Sequence, residues 1–203
     1  MHIHQALADV RQIQAVLART ERFRLLRATT VATTALLAIV GASMQAWFIG
    51  DASESPFAYA VYWSVIAAAG ASCAVMATAW RYWVRPTSWD RELWLEASRS
   101  FVPSLVVGGL LTAVIAFRYP AMAVALPGVW SLLFGLGVWS AARLFPRAMT
   151  GVAAYYFIAG ATALVLAEKW PYSPLWMAVA FGGGQLMMCG VLAYDERQQS
   201  RES

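Results

Sequence analysis

The chain has 203 residues, of which 60% are hydrophobic and 13% charged, and its 15 Lys and Arg against 11 Asp and Glu give a formal net charge of +4. With a mean hydropathy of +0.55, it lies outside the range of ordinary soluble domains, which are roughly half apolar and a quarter charged. Composition therefore argues against a soluble globular enzyme and against a basic nucleic-acid-binding protein, and it predicts a chain surrounded by lipid.

Residues 1–27 come first. Ile3, Ala6, Val10, Ile13 and Leu17 recur at spacings of three and four, with Leu7 and Val16 widening the stripe and Gln5, Asp9, Gln12 and Arg19 elsewhere, which predicts an amphipathic helix. A stripe of little more than two heptads fits a helix lying on the membrane surface. The same spacing is that of a coiled-coil seam, which would make Ile3, Leu7, Val10, Ile13 and Leu17 a partner-binding face. On that second reading, deleting residues 1–20 abolishes partner capture or changes oligomer size.

Six apolar stretches follow, over residues 28–50, 58–80, 101–117, 121–145, 150–167 and 174–194, and a polar tail closes the chain at 195–203. Most reach the roughly 17 to 25 residues that a helix needs to cross a bilayer. The runs are continuous and lack the alternation of lipid-facing strands, so the expected class is an all-α integral membrane protein with six transmembrane helices arranged as three hairpins. The first run exceeds the roughly 7 to 15 residues of a signal-peptide core, so it is expected to be retained as a span.

Between spans two and three, Arg81–Ser100 carries Trp83, Trp89 and Trp94 among Asp90, Arg91, Glu92, Glu96 and Arg99. Ser88 ahead of Asp90 and Glu92 suits a helix start, and Leu93, Trp94, Ala97 and Phe101 form one apolar side. A short interfacial helix is expected there, anchored by tryptophan. Span three is the shortest and carries Pro103 near its start, so it either begins late or prolongs that polar helix.

Basic residues near span ends are retained on the cytoplasmic side. Arg11, Arg19, Arg22, Arg24 and Arg27, then Arg81, Arg85, Arg91 and Arg99, then Arg143 and Arg147, and finally Arg197 and Arg201 all fall on one set of alternate breaks. The opposite breaks hold only Arg118 and Lys169, beside Asp51, Glu54 and Glu168. Both termini are therefore expected in the cytoplasm, in a bacterial-type inner membrane. Trp47, Phe48, Phe57, Tyr59, Tyr119, Trp170, Tyr172 and Trp176 would form the aromatic belt of the opposite face.

Spans three and five share a pattern when their outer ends are superposed. Gly109 to Pro120 reads GLLTAVIAFRYP and Gly160 to Pro171 reads GATALVLAEKWP, each with a Val-X-Ala core, a cation, an aromatic and the proline. Glycines recur in the span after each, Gly135 and Gly137 in one and Gly182, Gly183 and Gly184 in the other. This fits a hairpin duplicated in parallel, with Gly41 and Pro56 marking a diverged third copy. Chance alignment of Ala-, Gly- and Leu-rich segments fits the same pattern.

No ionisable residue lies near the middle of a span, and the only histidines are His2 and His4. This absence argues against a carboxylate proton relay, bis-histidine haem ligation, HExxH-type proteolysis and a paired-carboxylate site. No catalytic residue, cofactor or metal site is therefore expected. Cys73 with Met76, and Met187 and Met188 with Cys189, offer soft ligands but no metal-binding spacing, and read as core residues.

The polar residues left at depth are Ser43, Gln45, Thr112, Ser131, Tyr155, Tyr156 and Gln185. Gln185, Gln45, Trp130, Ser131 and Tyr155 are the ligand-contact candidates, with hydrogen bonding between helices as the plainer role for the glutamines. Gly108, Gly109, Gly135, Gly137, Gly160, Gly182, Gly183 and Gly184 are the helix-packing candidates, since small residues let helix backbones approach. Gly182–Gly184 also fit a local unwinding of span six.

The functional expectation is a non-catalytic protein that works by association, as a scaffold, accessory subunit or membrane-embedded sensor. Its partners would be the bilayer and a second copy or another membrane protein. The alternative is a small transporter or channel for a neutral or hydrophobic solute.

Overall fold

The computed structural model describes residues 27–84 and 88–202, all in helices and short connections, with no strand among them. The amphipathic helix expected over residues 1–27, with its partner-binding candidates Ile3, Leu7, Val10, Ile13 and Leu17, lies outside the described residues, apart from Arg27. So do the side chains of Trp83, Trp89 and Trp94.

Helix α1 (Ala28–Ile49) ends at Gly50, whose φ of 67° is open to glycine and whose N–H bonds Ala46 O. In the following loop Asp51 accepts hydrogen bonds from the Ser53 hydroxyl at 2.6 Å and the Ser53 amide at 2.9 Å. These two donors hold its carboxyl below the ordinary value of 3.8. Pro56 then opens α2 (Pro56–Val84), where its missing N–H leaves no helical bond unmade.

The expected interfacial helix and span three form one continuous helix, α3 (Ser88–Arg118), with Pro103 inside it. At 31 residues it is about 46 Å long, well beyond a hydrocarbon core of about 30 Å. Its polar first turns therefore project past the apolar layer. An ion pair of 3.2 Å between Arg143 and Glu96 ties that projection to the end of the next span. Arg143 is largely and Glu96 partly exposed, so the pair contributes at most about 1 kcal/mol.

A 3₁₀ segment (Pro120–Ala125) leads into α4 (Leu126–Ala141), followed by a 3₁₀ turn (Ala142–Leu144) and by α5 (Met149–Val165). The last span is composite. A single turn, α6 (Pro174–Met177), passes through a π-helical segment (Ala178–Gly183) into α7 (Gly184–Glu202). Among the described residues, five helical segments are long and apolar enough to cross a membrane and α5 is a shorter apolar helix, as expected of a multi-pass membrane protein.

Glycine sets the closest approach in the bundle. A Cβ on Gly160 would lie 2.9 Å from Gly128 O, and one on Gly128 would lie 2.8 Å from Gly160 O, so α4 and α5 meet backbone to backbone. The tightest helix pair thus joins spans four and five, across the boundary between the second and third expected hairpins. Gly135 abuts Tyr156 and Phe157, Gly137 abuts Phe101, and Gly41 in α1 abuts Trp63 and Ile66.

Three apolar clusters fill the interior. One gathers Val31, Val138, Met149, Val152, Tyr156, Met188 and Leu192 from the first, fourth, fifth and sixth spans. A second centres on Tyr59, Trp63, Ala42 and Met177, and a third on Ala60, Ile115, Ala123 and Leu126. Tyr59, expected in the aromatic belt, is instead fully buried against Tyr172, with ring centroids 5.1 Å apart, whereas Trp47 is 89% exposed. The N-terminal end of α1 meets the C-terminal helix through its own backbone. Ala28 N–H donates to Glu196 Oε1 at 3.2 Å, a carboxylate placed on the positive end of the helix dipole.

Candidate functional site

Polar groups at membrane depth must find partners within the protein, so the hydrogen bonds of the candidate residues show which are already occupied. Gln45 is buried and bonded on both sides. Its Nε2 donates to Tyr172 O at 2.8 Å, and its Oε1 accepts from Trp63 Nε1 at 3.0 Å. One side chain of α1 thereby fastens α2 and the connection between spans five and six. Tyr172 sits at φ 55°, a left-handed conformation uncommon for a non-glycine residue, and the Gln45 bond to its carbonyl helps to hold it there.

Trp130 and Ser131 are likewise engaged. Trp130 Nε1 donates to Thr112 Oγ1 at 2.7 Å, and Thr112 in turn donates to Gly108 O at 2.7 Å, linking α4 to α3. Ser131 is fully buried and donates back to Pro127 O at 2.7 Å within its own helix. These residues serve as interhelical or intrahelical polar contacts, with their hydrogen-bonding capacity largely used.

The composite span differs. Tyr155 on α5 donates to Val179 O, in the first turn of the π-helical segment, at 2.5 Å. Its hydroxyl lies where a Cβ on Gly183 would stand, and the Tyr156 ring and hydroxyl lie where a Cβ on Gly184 would stand. The glycine run thus admits two tyrosines against the span's backbone. A Cβ on Gly182 would meet Ile39 of α1 at 2.7 Å, so the same run is pressed from a second side.

Two polar side chains beside this run have no hydrogen-bond partner among the described residues. The Tyr156 hydroxyl is wholly buried, and the Gln185 amide, in a residue only 8% exposed, follows Gly184 directly. A buried unpaired polar group costs on the order of 1–3 kcal/mol. A π-helical interruption, an orphan phenol and an unpaired amide therefore coincide in one region, and π segments frequently mark functional positions.

The remaining glycine candidates separate into two groups. Gly108 makes an ordinary contact with Leu133 at 3.6 Å, whereas nothing in the chain lies within 4 Å of a Cβ on Gly109. The two glycines that the repeated pattern equates, Gly109 and Gly160, thus occupy different surroundings. Gly128, which sequence reasoning missed, is the residue that faces Gly160.

The soft-ligand residues do not form one site. Met188 is buried, with Cys189 packed beside it, while Met76 is 64% exposed on α2. Among the described residues no group of three His, Cys, Asp or Glu is placed to hold a metal. The sequence matches no protein-family model, no curated protein and no solved structure, which leaves the chain's own geometry as the guide to function.

Proposed function

We propose that this protein is a non-catalytic membrane component that associates laterally with another transmembrane helix, contributed by a partner or by a second copy. The observation that carries this reading is the uneven burial of the spans. In the apolar stretches of spans two and three only 17% of residues are buried, against 44% in span four and 39% in span six.

One stretch of the exposed surface of α2, between the large exposed side chains of Val65 and Val75, has the composition of a helix interface. Ala67, Ala68, Ala69, Ala71 and Ser72 are all exposed. Large apolar side chains fill space against lipid tails, whereas small ones let a second helix approach. The clustering of Arg on alternate breaks supports an orientation with both termini in the cytoplasm of a bacterial-type inner membrane.

The test is the size of the complex in native membranes after cross-linking, for the wild type and for the Ala68→Leu/Ala71→Leu variant. The reading expects the complex to be lost in the variant and retained in an Ile158→Leu control on the exposed face of α5. An unchanged complex in the double variant refutes it. The unpaired Tyr156 and Gln185 beside the π segment favour a second reading, a binding or transport path for a neutral solute. Gln185→Leu would then reduce flux in proteoliposomes without unfolding the bundle, and equal flux would exclude that path.

A further inference from the structure

At the end of the bundle that carries the chain's C-terminus, a groove of about 580 Å³ runs between α5 and α7. Its size falls within the roughly 300–1,000 Å³ of ligand pockets. Pro146, Val152, Met187, Tyr194 and Asp195 line it. Met187 and Asp195 are eight residues apart on one helix, so the groove reaches about 12 Å along the span. Its floor is made of small residues. Gly151 and Gly190 both line it, and neither has any atom within 4 Å of the place a Cβ would occupy.

The rim is basic. Arg147 is exposed between Pro146 and Ala148, both of which line the groove. Arg197 and Arg201 are exposed three and seven positions after Tyr194, on the same side of α7. None of the three forms an ion pair among the described residues, whereas Arg143 is held by Glu96. Of the nearby acids, Asp195 has an interaction of its own and Glu196 accepts the Ala28 amide. The combination is a groove of largely apolar lining, flanked by guanidinium groups that form no ion pair among the described residues.

We infer that this groove binds one acyl chain of an anionic phospholipid, whose phosphate and headgroup are held by Arg147 and Arg197. Guanidinium groups match phosphate oxygens in geometry as well as charge, and basic sites between spans near the membrane surface select anionic lipids. A zwitterionic lipid offers the same chain and a phosphate but no net charge. It therefore fills the slot with less preference.

The full-length protein in nanodiscs containing equal phosphatidylglycerol and phosphatidylcholine, then extracted into mild detergent, tests this by native mass spectrometry of retained lipid. The wild type is expected to keep about one phosphatidylglycerol per chain. Gly190→Leu and Gly151→Leu place a side chain in the slot where no atom is met, so they should fold with an unchanged unfolding midpoint and lose the lipid. Arg147→Gln/Arg197→Gln should keep a lipid but lose at least tenfold of the preference for phosphatidylglycerol, since one arginine near an anionic headgroup is worth roughly fivefold. Retention of the same lipid by both glycine variants overturns the inference, as does an unaltered preference in the arginine variant. Cross-linking of copies to one another in a Gly151→Cys/Gly190→Cys variant would also overturn it, assigning the groove to a second chain.

Discussion

Gly109 and Gly160 hold equivalent places in a repeated sequence pattern, yet adding the same methyl group to each should have opposite effects. An alanine Cβ at residue 160 would lie 2.9 Å from Gly128 O and Leu132 Cγ and 3.0 Å from Leu132 N, whereas ordinary contact begins at 3.4 Å. Two of these three atoms belong to the backbone of α4, so relief requires the helices to separate by about 0.5 Å, which forfeits a quarter or more of each dispersion contact along the interface. Overpacking of this kind costs about 1–3 kcal/mol, and the better helix propensity of alanine returns up to about 1 kcal/mol. With the full return, Gly160→Ala is therefore expected to destabilise the bundle by about 0–2 kcal/mol. Gly109→Ala meets nothing within 4 Å and should be neutral or stabilising by up to about 1 kcal/mol. Unfolding by SDS in mixed micelles, followed by circular dichroism, measures both. Equal shifts for the two variants would refute the backbone contact between α4 and α5. Gly128→Ala provides a further check. Combined with Gly160→Ala it should cost less than the sum of the two, because one separation of the helices relieves both clashes.

Other substitutions probe the polar contacts. Gln45→Leu leaves the Trp63 N–H and the Tyr172 carbonyl without their partner and should destabilise by about 1–3 kcal/mol; a change below about 0.3 kcal/mol would show that water replaces the amide. Tyr155→Phe removes the bond to Val179 O and should cost about 0.5–1.5 kcal/mol, while Tyr156→Phe removes a hydroxyl that bonds nothing and should be neutral or stabilising. The reverse order in the same unfolding assay would place a partner on Tyr156. Asp51 contributes through its Ser53 bonds only while ionised. Its carboxyl is held below 3.8 in the folded chain, so the stability difference between wild type and Asp51→Asn should be fully present above that value and disappear as pH falls through the lowered one. A difference that grows on acidification would contradict the assignment.

The helices were legible because lipid imposes a simple requirement: a long apolar run must satisfy its own backbone, and five of the described helical segments are long and apolar enough to span while the run over 150–167 forms a shorter apolar helix. Continuity was less legible. Ser88–Ser100 and the run beginning at Phe101 differ sharply in polarity, yet they form one helix, since the hydrogen-bond ladder passes an interface that side chains alone register. Pair contacts were not legible. Gln45 was singled out as a polar residue at depth, but its partners lie 18 and 127 positions away, and no local pattern names them. Gly128 has no place in the glycine pattern shared by the hairpins, and only the structure shows that it faces Gly160. The sequence marked Gly182–Gly184 as a place to pack or unwind. The structure packs tyrosines against Gly183 and Gly184 and Ile39 against Gly182, while the ladder changes pitch over 178–183.

That change of pitch gives the last span two angular phases. Each π turn holds one residue more than an α turn, so positions before Ala178 are rotated by roughly 100° from where an uninterrupted α-helix would carry them. Met177 faces the Tyr59 and Trp63 cluster, and Met188 and Leu192 face the Tyr156 cluster. One span thus supplies two cores that point in different directions. Across divergent relatives of this chain, a single-residue gap confined to 178–183 would be the sign that the offset had been gained or erased, and with it the alignment between the two ends of the molecule.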